Sequence, residues 1–458
     1  MNTPHRQIPF HRLQTQAAVS AEIVTQTLSQ TLLSGKPADR CLKDAFYANR
    51  QLGSRDRRLI NETLFAALRW WGWLRRLAPR PFVEAWEKRR DCDAAIPTAH
   101  WHKVLVGAWL LESPPEVPAA VHTWAESLEP TDLELNFTRP DAPWQEKWNS
   151  LTPLLYPAKN PQGDLLELVP DWALPLPAEE EGIDWEDLIS WLQKRPPLWL
   201  RAQISDVAWL RRELEGQGAK ARPHTKMPYA LECEASSLNL RAMPSFRHGD
   251  FEVQDLASQC VALVCDPKPG EQWWDACAGG GGKTLHLAWL MQGKGSVTAS
   301  DIRLYKLDEL KLRARRAQFP NIRCKEWKGR EMPKWKDRFN GVLVDTPCSC
   351  SGTWRRNPDA RWNSQPEELT EFTRLQKQLL ENASGAVKPG GTLVYSTCSM
   401  FKAENQDIIE AFLAENPHFE LCPYISPIDQ KECNGMRQIW PADGNCDSMF
   451  TAKMKRRL

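Results

Sequence analysis

The sequence predicts an α/β protein whose C-terminal part is a mostly parallel sheet with helices on both faces. Strand-like and helical segments alternate from residue 254 onward, and this alternation is typical of parallel strands joined by helical crossovers. Three of the strand-like segments run into polar or cysteine-containing turns, at Asp275, Asp345 and Thr397. Open α/β sheets bind ligands at the carboxyl ends of their strands, so we expect the functional site at these turns.

The length and composition of the chain indicate a soluble protein of several domains. At 458 residues it is too long for one hydrophobic core, and two or three domains are expected. No apolar run approaches the ~20 residues that cross a bilayer, and the first residues lack the apolar core of a secretory signal. We therefore expect a cytoplasmic protein, monomeric and with no membrane partner.

The cysteines show neither a disulfide nor a metal pattern. Thirteen of them are scattered without C-x-x-C pairs or neighbouring histidines. That distribution argues against a disulfide framework and against a structural zinc site, so no metal is expected.

Four segments differ in their periodicity and proline content. Apolar residues recur at helical spacing from about Gln16 to Leu110, whereas prolines are frequent from Ser113 to Glu181. Mixed strand and helix patterns follow, beginning with a helix at Trp185–Gln193 and a strand at Leu198–Ala202. The predicted parts are an all-helical domain at 1–150, a proline-rich linker at 151–184, a small α+β module at 185–253 and the α/β domain at 254–458.

A glycine-rich turn, DACAGGGGKT at Asp275–Thr284, follows the first strand of the α/β domain and precedes an apolar helix. Glycines allow a sharp turn close to a ligand, and a helix N-terminus attracts an anion. A phosphate-binding P-loop requires glycine five residues before Gly282, where this chain has Cys277. The second strand ends in Asp301, where such folds bind ribose hydroxyls, with a helix cap as the competing interpretation. The turn is therefore interpreted as an S-adenosylmethionine loop.

Two cysteines follow strand-like segments further along the chain. Asp345 and Cys348 come after GVLV, and Cys398 comes after GTLVYST. A single cysteine is most often a buried core residue, but two at strand ends beside a cofactor loop indicate covalent chemistry on an electrophilic carbon. Thiolate addition at carbon 6 of cytosine would activate carbon 5 for attack on a sulfonium methyl, with Asp345 placed to stabilise the ring. The spacing does not decide which cysteine attacks.

Two arginines, Arg355 and Arg356, follow the first of these cysteines. The net charge of +1 gives no overall basic signal for nucleic acid, so only local clusters are informative. Beside a site that modifies a base, these two are interpreted as contacts for RNA phosphates. The competing interpretation is a solvated turn.

These motifs resemble those of the Sun-type RNA cytosine-5 methyltransferases, in particular the bacterial branch that acts on small-subunit ribosomal RNA. The matching motifs are DACAGGGGKT at 275–284, DTPCSCSGTWRRNPDARW at 345–362 and TCS at 397–399. Upstream, RPPLWLRAQ at 195–203 looks like the family's small RNA-recognition-like module, and GSRDRRLINETLFAALR at 53–69 looks like its NusB-like domain. The resemblance implies a Rossmann-like S-adenosylmethionine-dependent methyltransferase domain, preceded by a small α+β module and an all-α NusB-like N-terminal domain.

The resemblance also implies roles for individual residues. Cys398 would form the bond to cytosine, Cys348 would assist product release, and Asp345 would complete the catalytic set. The implied cofactor-binding residues are Cys277, Ala278, Gly279, Gly280, Gly281, Gly282, Lys283, Asp301 and Asp345. Lys283 is also a candidate for lowering the pKa of a thiol.

Some positions depart from the family pattern. Gly279 and Gly280 replace the usual alanine and proline, and Lys328 stands where relatives carry an aspartate near the adenine. The expected partner is RNA, with ribosomal RNA favoured and transfer RNA as the second possibility. Two different classes of protein also fit part of the sequence: a DNA cytosine methyltransferase, and a NusB-like RNA-binding factor with an inactive methylase domain.

Overall fold

The structure is a computed structural model in which part of the chain is described. The described residues are 10–92, 94–129, 133–155, 161–174, 182, 184–234, 239–329, 331 and 335–458. They divide into two compact units. The helical unit comprises the described residues within 1–175, 184–193 and 357–364, and the sheet unit comprises those within 176–183, 194–356 and 365–458.

The helices and strands are numbered in chain order. The α-helices are α1 Phe10–Ser34, α2 Ala38–Ala48, α3 Ser54–Arg69, α4 Trp71–Leu74, α5 Arg80–Glu87, α6 His102–Glu112, α7 Ala119–Glu126, α8 Trp144–Leu151, α9 Trp185–Gln193, α10 Val207–Gly216, α11 Pro244–His248, α12 Leu256–Cys265, α13 Gly282–Leu290, α14 Leu304–Arg316, α15 Pro358–Asn363, α16 Pro366–Ser384, α17 Gln406–Glu415 and α18 Pro441–Gly444. The strands are β1 Leu198–Ala202, β2 Lys220–Pro223, β3 Ala230–Glu234, β4 Phe251–Val253, β5 Gln272–Asp275, β6 Ser296–Asp301, β7 Ile322–Glu326, β8 Phe339–Asp345, β9 Val387–Thr397, β10 Phe419–Leu421, β11 Tyr424–Ile425, β12 Glu432–Cys433, β13 Met436–Ile439 and β14 Met449–Arg456. Short 3-10 helices lie at Thr98–Trp101, Thr152–Leu155, Leu165–Leu168, Asp171–Ala173, Leu240–Ala242, Ser351–Thr353 and Lys402–Glu404.

The helical unit is built around α1, which packs against α2, α3 and α7. Its core contains fully buried tryptophans, and buried indole N–H groups need acceptors. The indole of Trp109 donates to the hydroxyl of Thr63 at 2.9 Å, and that of Trp124 donates to the carbonyl of Ala17 at 2.9 Å. Tryptophan thus supplies both buried apolar area and bonds between helices. The predicted helical N-terminal region is helical in the described residues, as its apolar periodicity indicated.

The division between the units differs from the predicted domain boundaries. Helix α9, expected at the start of the small module, belongs to the helical unit, and so does the segment Asn357–Ser364. Within that unit the guanidinium of Arg361 donates to the carbonyl of Leu168 at 2.7 Å, and the indole of Trp362 donates to the carbonyl of Leu68 at 2.7 Å. Buried polar groups need such partners, and these partners lie in the N-terminal helices. Sequence position alone did not indicate this assignment.

The described residues within 194–253 contain a small antiparallel sheet in the order β2-β3-β1-β4, with α10 and α11 beside it. Its core includes Leu200, Leu210, Leu231 and Phe251, all fully buried. On β2 only Ala221 is buried, as expected for an edge strand with one face against a core. This small sheet belongs to the same compact unit as the large one.

The large sheet of the described residues has the strand order β10-β14-β9-β8-β5-β6-β7, and β13 pairs with β14. Strands β5 to β9 are parallel, whereas β14 pairs antiparallel with β9, β10 and β13. Leu343 packs in the cluster with α12 and α13, while its neighbours Val342 and Val344 pack with α16 and α17. The mostly parallel sheet with helices on both faces is therefore confirmed, with an antiparallel edge added by the last strands.

The strand arrangement brings four chain segments to one edge of the sheet. Because β5, β6, β8 and β9 are parallel neighbours, their carboxyl ends at Asp275, Asp301, Asp345 and Thr397 lie together. Within the described ranges no helix has the length and apolar character needed to cross a membrane.

Candidate active site

The glycine-rich turn links β5 to α13 and is tied to the neighbouring strand. The amide of Ala278 donates to the carbonyl of Ser300 at 2.8 Å, and the amide of Gly279 donates to the carboxylate of Asp301 at 2.9 Å. Gly281 has φ +86°, and a Cβ there would lie 2.3 Å from the Leu310 side chain. Only glycine fits this position, because both the left-handed backbone and the close approach exclude a side chain.

Asp275 lies beneath the turn as a buried carboxyl group. The hydroxyl of Thr284 donates to one of its oxygens at 2.6 Å. Burial raises the pKa of Asp275 to about 7, since few groups compensate its charge. Asp275 thus anchors the start of α13 from below.

Asp301 ends β6 and carries the acid predicted to bind ribose. Its carboxylate accepts hydrogen bonds from the backbone amide and guanidinium of Arg303 at 2.8 and 3.0 Å, besides that from Gly279. Burial raises its pKa, but the bonds from Arg303 and Gly279 lower it more, so the pKa of Asp301 is lowered. Helix α14 begins at Leu304 with Arg303 as its N-cap residue, so the competing helix-cap interpretation of Asp301 does not hold.

Lys283 and Asp345 form an ion pair at the centre of the strand ends. The ammonium of Lys283 lies 2.7 Å from one oxygen of Asp345, and the hydroxyl of Ser396 donates to the other oxygen at 2.7 Å. Burial lowers the pKa of Lys283, but the carboxylate of Asp345 raises it more, so the net shift is upward. The lysine therefore stays charged, and its hydrogen-bonding partner is Asp345.

The two cysteine thiols predicted from the sequence lie in contact, and a third cysteine thiol lies beside them. The sulfurs of Cys348 and Cys398 are 3.4 Å apart, and the sulfur of Cys350 lies with them, all three within 4.8 Å of one another. Hydrogen bonds from Cys348 and Cys398 lower the pKa of Cys350 well below its usual value. Bonds to Cys350 and Cys398, together with burial, raise the pKa of Cys348. The bond from Cys348 lowers the pKa of Cys398, but the bond to Cys350 and burial raise it more.

A buried carboxylate joins the two cysteine turns. Glu404 accepts hydrogen bonds from the Ser349 amide at 2.9 Å, the Ser349 hydroxyl at 2.6 Å and the Gln376 side-chain amide at 2.9 Å. The hydroxyl of Ser399 also donates to it. Ser349 follows Cys348 in the chain and Ser399 follows Cys398, so Glu404 fixes the distance between the thiols.

The glycine-rich turn, Asp301, the Lys283–Asp345 pair and the three thiols line one cleft of about 590 Å³. The predicted residues that line it are Cys277, Ala278, Gly279, Gly280, Gly282, Lys283, Asp301, Asp345, Cys348 and Cys398. Gly281 lies behind the cleft, against Leu310. A Cβ at Gly279 would meet nothing closer than Arg303 at 3.9 Å, so the backbone there is open to a ligand.

The residues of the cleft fit S-adenosylmethionine. Asp301 would offer a carboxylate to ribose hydroxyls, and the N-terminus of α13 would offer partial positive charge to the carboxylate of the methionine part. Lys328, which stands where relatives have an acid, is exposed and lies 3.7 Å from Glu326. It lines the same cleft and offers no carboxylate to an adenine.

The predicted phosphate contact of Arg355 is corrected by its burial. Arg355 is 0% exposed, and its guanidinium donates to the carbonyl of Cys446 and the side chain of Asn445, each at 2.8 Å. Arg356 is partly exposed but pairs with Asp447 at 3.1 Å and Asp255 at 3.4 Å. Both arginines therefore fix the polypeptide in place, and neither presents a free charge to phosphate.

Sequence reasoning missed three residues of the site, Cys350, Ser396 and Glu404. Cys350 was visible as the last residue of the CSC sequence at 348–350, and Glu404 lies a few residues after the TCS motif. Their roles depend on contacts across some fifty residues of chain, such as the 2.7 Å bond from Ser396 to Asp345. No local pattern carries that information.

This chain is similar to known proteins, and the part that matches a family model contains the three motifs at 275–284, 345–362 and 397–399. A sequence model of the family described as 16S rRNA methyltransferase RsmB/F matches residues 262–455. Ribosomal RNA small subunit methyltransferase B of Salmonella newport (strain SL254) is 33% identical over 299 residues, which are 63% of this chain and 67% of that protein.

Solved structures agree with the sequence relatives. The crystal structure of PH0851 has a TM-score of 0.72 at 26% identity, covering 98% of this chain and 99% of that one. A methyltransferase homolog protein from Pyrococcus horikoshii has a TM-score of 0.51 at 26% identity, covering 59% and 90%. The sheet unit thus has a Rossmann-like methyltransferase fold whose cofactor is S-adenosylmethionine, and the chain belongs to the 16S rRNA methyltransferase RsmB/F family.

Proposed function

We propose that this protein transfers a methyl group from S-adenosylmethionine to carbon 5 of a cytosine in RNA, through a covalent bond between Cys398 and carbon 6. The observation that carries the proposal is the pair of thiols, Cys348 and Cys398, 3.4 Å apart in the cofactor cleft. A methyltransferase acting on a nucleophilic oxygen or nitrogen needs no thiol. Carbon 5 of cytosine needs one, because it is a weak nucleophile until a thiolate adds next to it.

The proposed reaction forms and breaks bonds in a fixed order. Cys398 loses its proton to solvent, its sulfur adds to carbon 6, and the ring electrons move to carbon 5. Bound S-adenosylmethionine would supply an electrophilic methyl group, which carbon 5 would accept. A base then removes the proton from carbon 5, and the bond from carbon 6 to Cys398 breaks. The product is 5-methylcytosine with the thiol regenerated.

Asp345 suits a hydrogen-bonding role toward the base. Lys283 lies 2.7 Å from one oxygen of Asp345, and Ser396 donates to the other, so the side chain is held in one orientation. Carboxylate oxygens accept hydrogen bonds, so Asp345 would hold the exocyclic amino group of cytosine.

Exposure supports the division of roles between the thiols. Cys398 is partly exposed, whereas Cys348 is 6% exposed. The attacking sulfur must reach the base, so the more accessible Cys398 is proposed as the nucleophile and Cys348 as the group that assists release. The base itself must leave any stack to reach the cleft, so we expect an unpaired or opened target cytosine.

Ribosomal RNA is the proposed substrate class. The similarity to a ribosomal RNA small subunit methyltransferase over two thirds of that protein supports it. We propose in addition that the helical unit acts as a NusB-like RNA-binding domain, a role supported by its all-helical described residues.

Two cysteine variants test the covalent mechanism on a denaturing gel. Cys398→Ala should abolish methylation and form no protein–RNA adduct. Cys348→Ala should accumulate a denaturant-resistant adduct when incubated with cofactor and RNA, because attack proceeds while release stalls. The matched control is Cys324→Ala, since this partly exposed cysteine lies on β7 outside the cleft lining.

The adduct pattern on the gel distinguishes the two possible assignments of the cysteine roles. An adduct with Cys398→Ala and none with Cys348→Ala would reverse the two roles and contradict the proposal. Bisulfite sequencing of ribosomal and transfer RNA from cells with and without the gene would identify the substrate class. A lost 5-methylcytosine in transfer RNA alone would favour transfer RNA as the substrate.

A further inference from the structure

Three thiols, not two, converge in the cleft. The sulfurs of Cys348, Cys350 and Cys398 all lie within 4.8 Å of one another. Among the residues that the structure describes, they form the one group of three or more cysteine, histidine or acidic side chains arranged closely enough to share an ion. The proposed methyl transfer uses two of these thiols and leaves Cys350 without a role.

The backbone turns the third thiol back toward the other two. Cys350 has φ +56°, a left-handed conformation that is uncommon for a residue with a side chain. Zinc binds thiolate sulfur at ~2.3 Å in tetrahedral geometry, which places the sulfurs of one site ~3.8 Å apart. The 3.4 Å separation of Cys348 and Cys398, and the 4.8 Å limit for the trio, are close to that spacing. Small side-chain rotations would complete a three-sulfur site.

We propose that Cys348, Cys350 and Cys398 bind one Zn²⁺ ion, and that the bound ion blocks methyl transfer. Each sulfur releases its proton to solvent as its bond to the metal forms. The fourth position of the tetrahedron faces the cleft and takes water, as in zinc sites with three protein ligands. Binding itself does not depend on the proposed function, whereas the blocking of activity does.

Inhibition follows from the identity of the ligands. A sulfur that shares its electron pair with zinc is not available to add to carbon 6 of cytosine. The metal would also occupy the region that the base must enter, so RNA and Zn²⁺ compete. The effect would make the enzyme sensitive to free zinc without a separate regulatory site.

Metal titration of the reduced, full-length protein tests the site directly. Co²⁺ serves as the spectroscopic probe, because sulfur-to-cobalt charge transfer reports thiolate ligands, and Zn²⁺ affinity follows from competition with a chromophoric chelator. Wild type should bind one equivalent. Cys350→Ser removes one of three ligands, and we expect its Zn²⁺ affinity to fall at least ~10-fold, since even residues that only orient metal ligands are worth that much.

Activity provides the second readout. For Cys350→Ser, activity is measured relative to the same variant treated with chelator, and the Zn²⁺ concentration that halves it should rise by the same factor as the dissociation constant. Cys324→Ser is the control and should match wild type in both. Cys398→Ser, which also removes a ligand, gives an independent binding measurement in case Cys350→Ser does not fold.

The binding and activity measurements can contradict the zinc site, the inhibition or the proposed function separately. Equal Zn²⁺ affinity of wild type, Cys350→Ser and Cys398→Ser would overturn the proposed site. Stoichiometric binding that leaves methylation unaffected would overturn the inhibition. If Zn²⁺ binding depends on these cysteines but the protein methylates no cytosine, the proposed zinc site stands and the proposed function is contradicted.

Discussion

Replacing Glu404 tests how the two cysteine turns are held together. This fully buried carboxylate accepts hydrogen bonds at one oxygen from the Ser349 amide and the Gln376 side chain, both at 2.9 Å. At its other oxygen it accepts from the hydroxyls of Ser349 and Ser399. The first two groups can only donate, whereas the hydroxyls can rotate and accept.

Because only the hydroxyls can accept, the Ala and Gln substitutions at Glu404 should cost different amounts of folding stability. Glu404→Ala removes the acceptor of the Ser349 amide, whereas the Gln376 side-chain amide still donates to the carbonyl of Pro347 at 3.0 Å. One buried donor without its acceptor costs about 1–3 kcal/mol, so a loss of about that size is expected. Glu404→Gln keeps an amide oxygen for these two donors and turns its amino group toward hydroxyls that can accept. The Gln variant should lose less than half as much stability as the Ala variant.

Thermal unfolding and hydrogen exchange measure the effect. One kcal/mol shifts the melting temperature of a domain of 150–250 residues by about 2–4 °C, so Glu404→Ala should melt at least ~2 °C below wild type. The Ser349 amide should lose protection from exchange in the Ala variant and keep most of it in the Gln variant. Glu410→Ala, an exposed acid on α17, is the control and should behave as wild type. Equal stability of the Ala and Gln variants, or an unchanged Ser349 amide, would refute the role of Glu404.

Two further predictions concern the carboxyl groups that end β6 and β5, Asp301 and Asp275. Asp301→Ala should weaken S-adenosylmethionine binding by about 1.5–3 kcal/mol, the value of a hydrogen bond to a charged group. Asp308→Ala, at an exposed position, is the control and should not weaken binding. If calorimetry finds an unchanged affinity for Asp301→Ala, Asp301 does not bind the cofactor. The pKa of Asp275 is about 7 in the folded protein and near 3.8 in the unfolded chain. Between about pH 4 and pH 7 the folded state therefore binds more protons than the unfolded state, and the contribution of Asp275 to stability falls as the pH rises. Asp275→Asn should therefore gain stability relative to wild type between pH 5 and pH 8 in urea unfolding, and a pH-independent difference would contradict the raised pKa.

The strand ends of the site could be predicted from the sequence because each is a local pattern. Short apolar runs, WW before Asp275, VLV before Asp345 and LVY before Ser396 and Thr397, predict buried strands and the turns after them. Parallel pairing then brings these turns together, so the sequence alone predicts which turns line the cleft.

Residues whose role depends on distant partners could not be predicted. Arg355 lies in a turn rich in polar residues, and such arginines are usually exposed. Its burial depends on carbonyl and amide groups at residues 445 and 446, some ninety positions away. Glu404 likewise acts through Ser349, 55 residues earlier. The antiparallel edge formed by β14 depends on pairing with β9, which no periodicity in Met449–Arg456 reveals.

The segment Asn357–Ser364 limits how far this protein can be treated as a set of modules. A gene fragment beginning at residue 194 would encode all three cleft thiols and the whole glycine turn. It would also encode Arg361 and Trp362 while leaving behind the carbonyls of Leu168 and Leu68 that accept their hydrogen bonds. Exchanging N-terminal regions between relatives therefore requires exchanging this internal stretch as well, because the two pieces share one buried hydrogen-bond network.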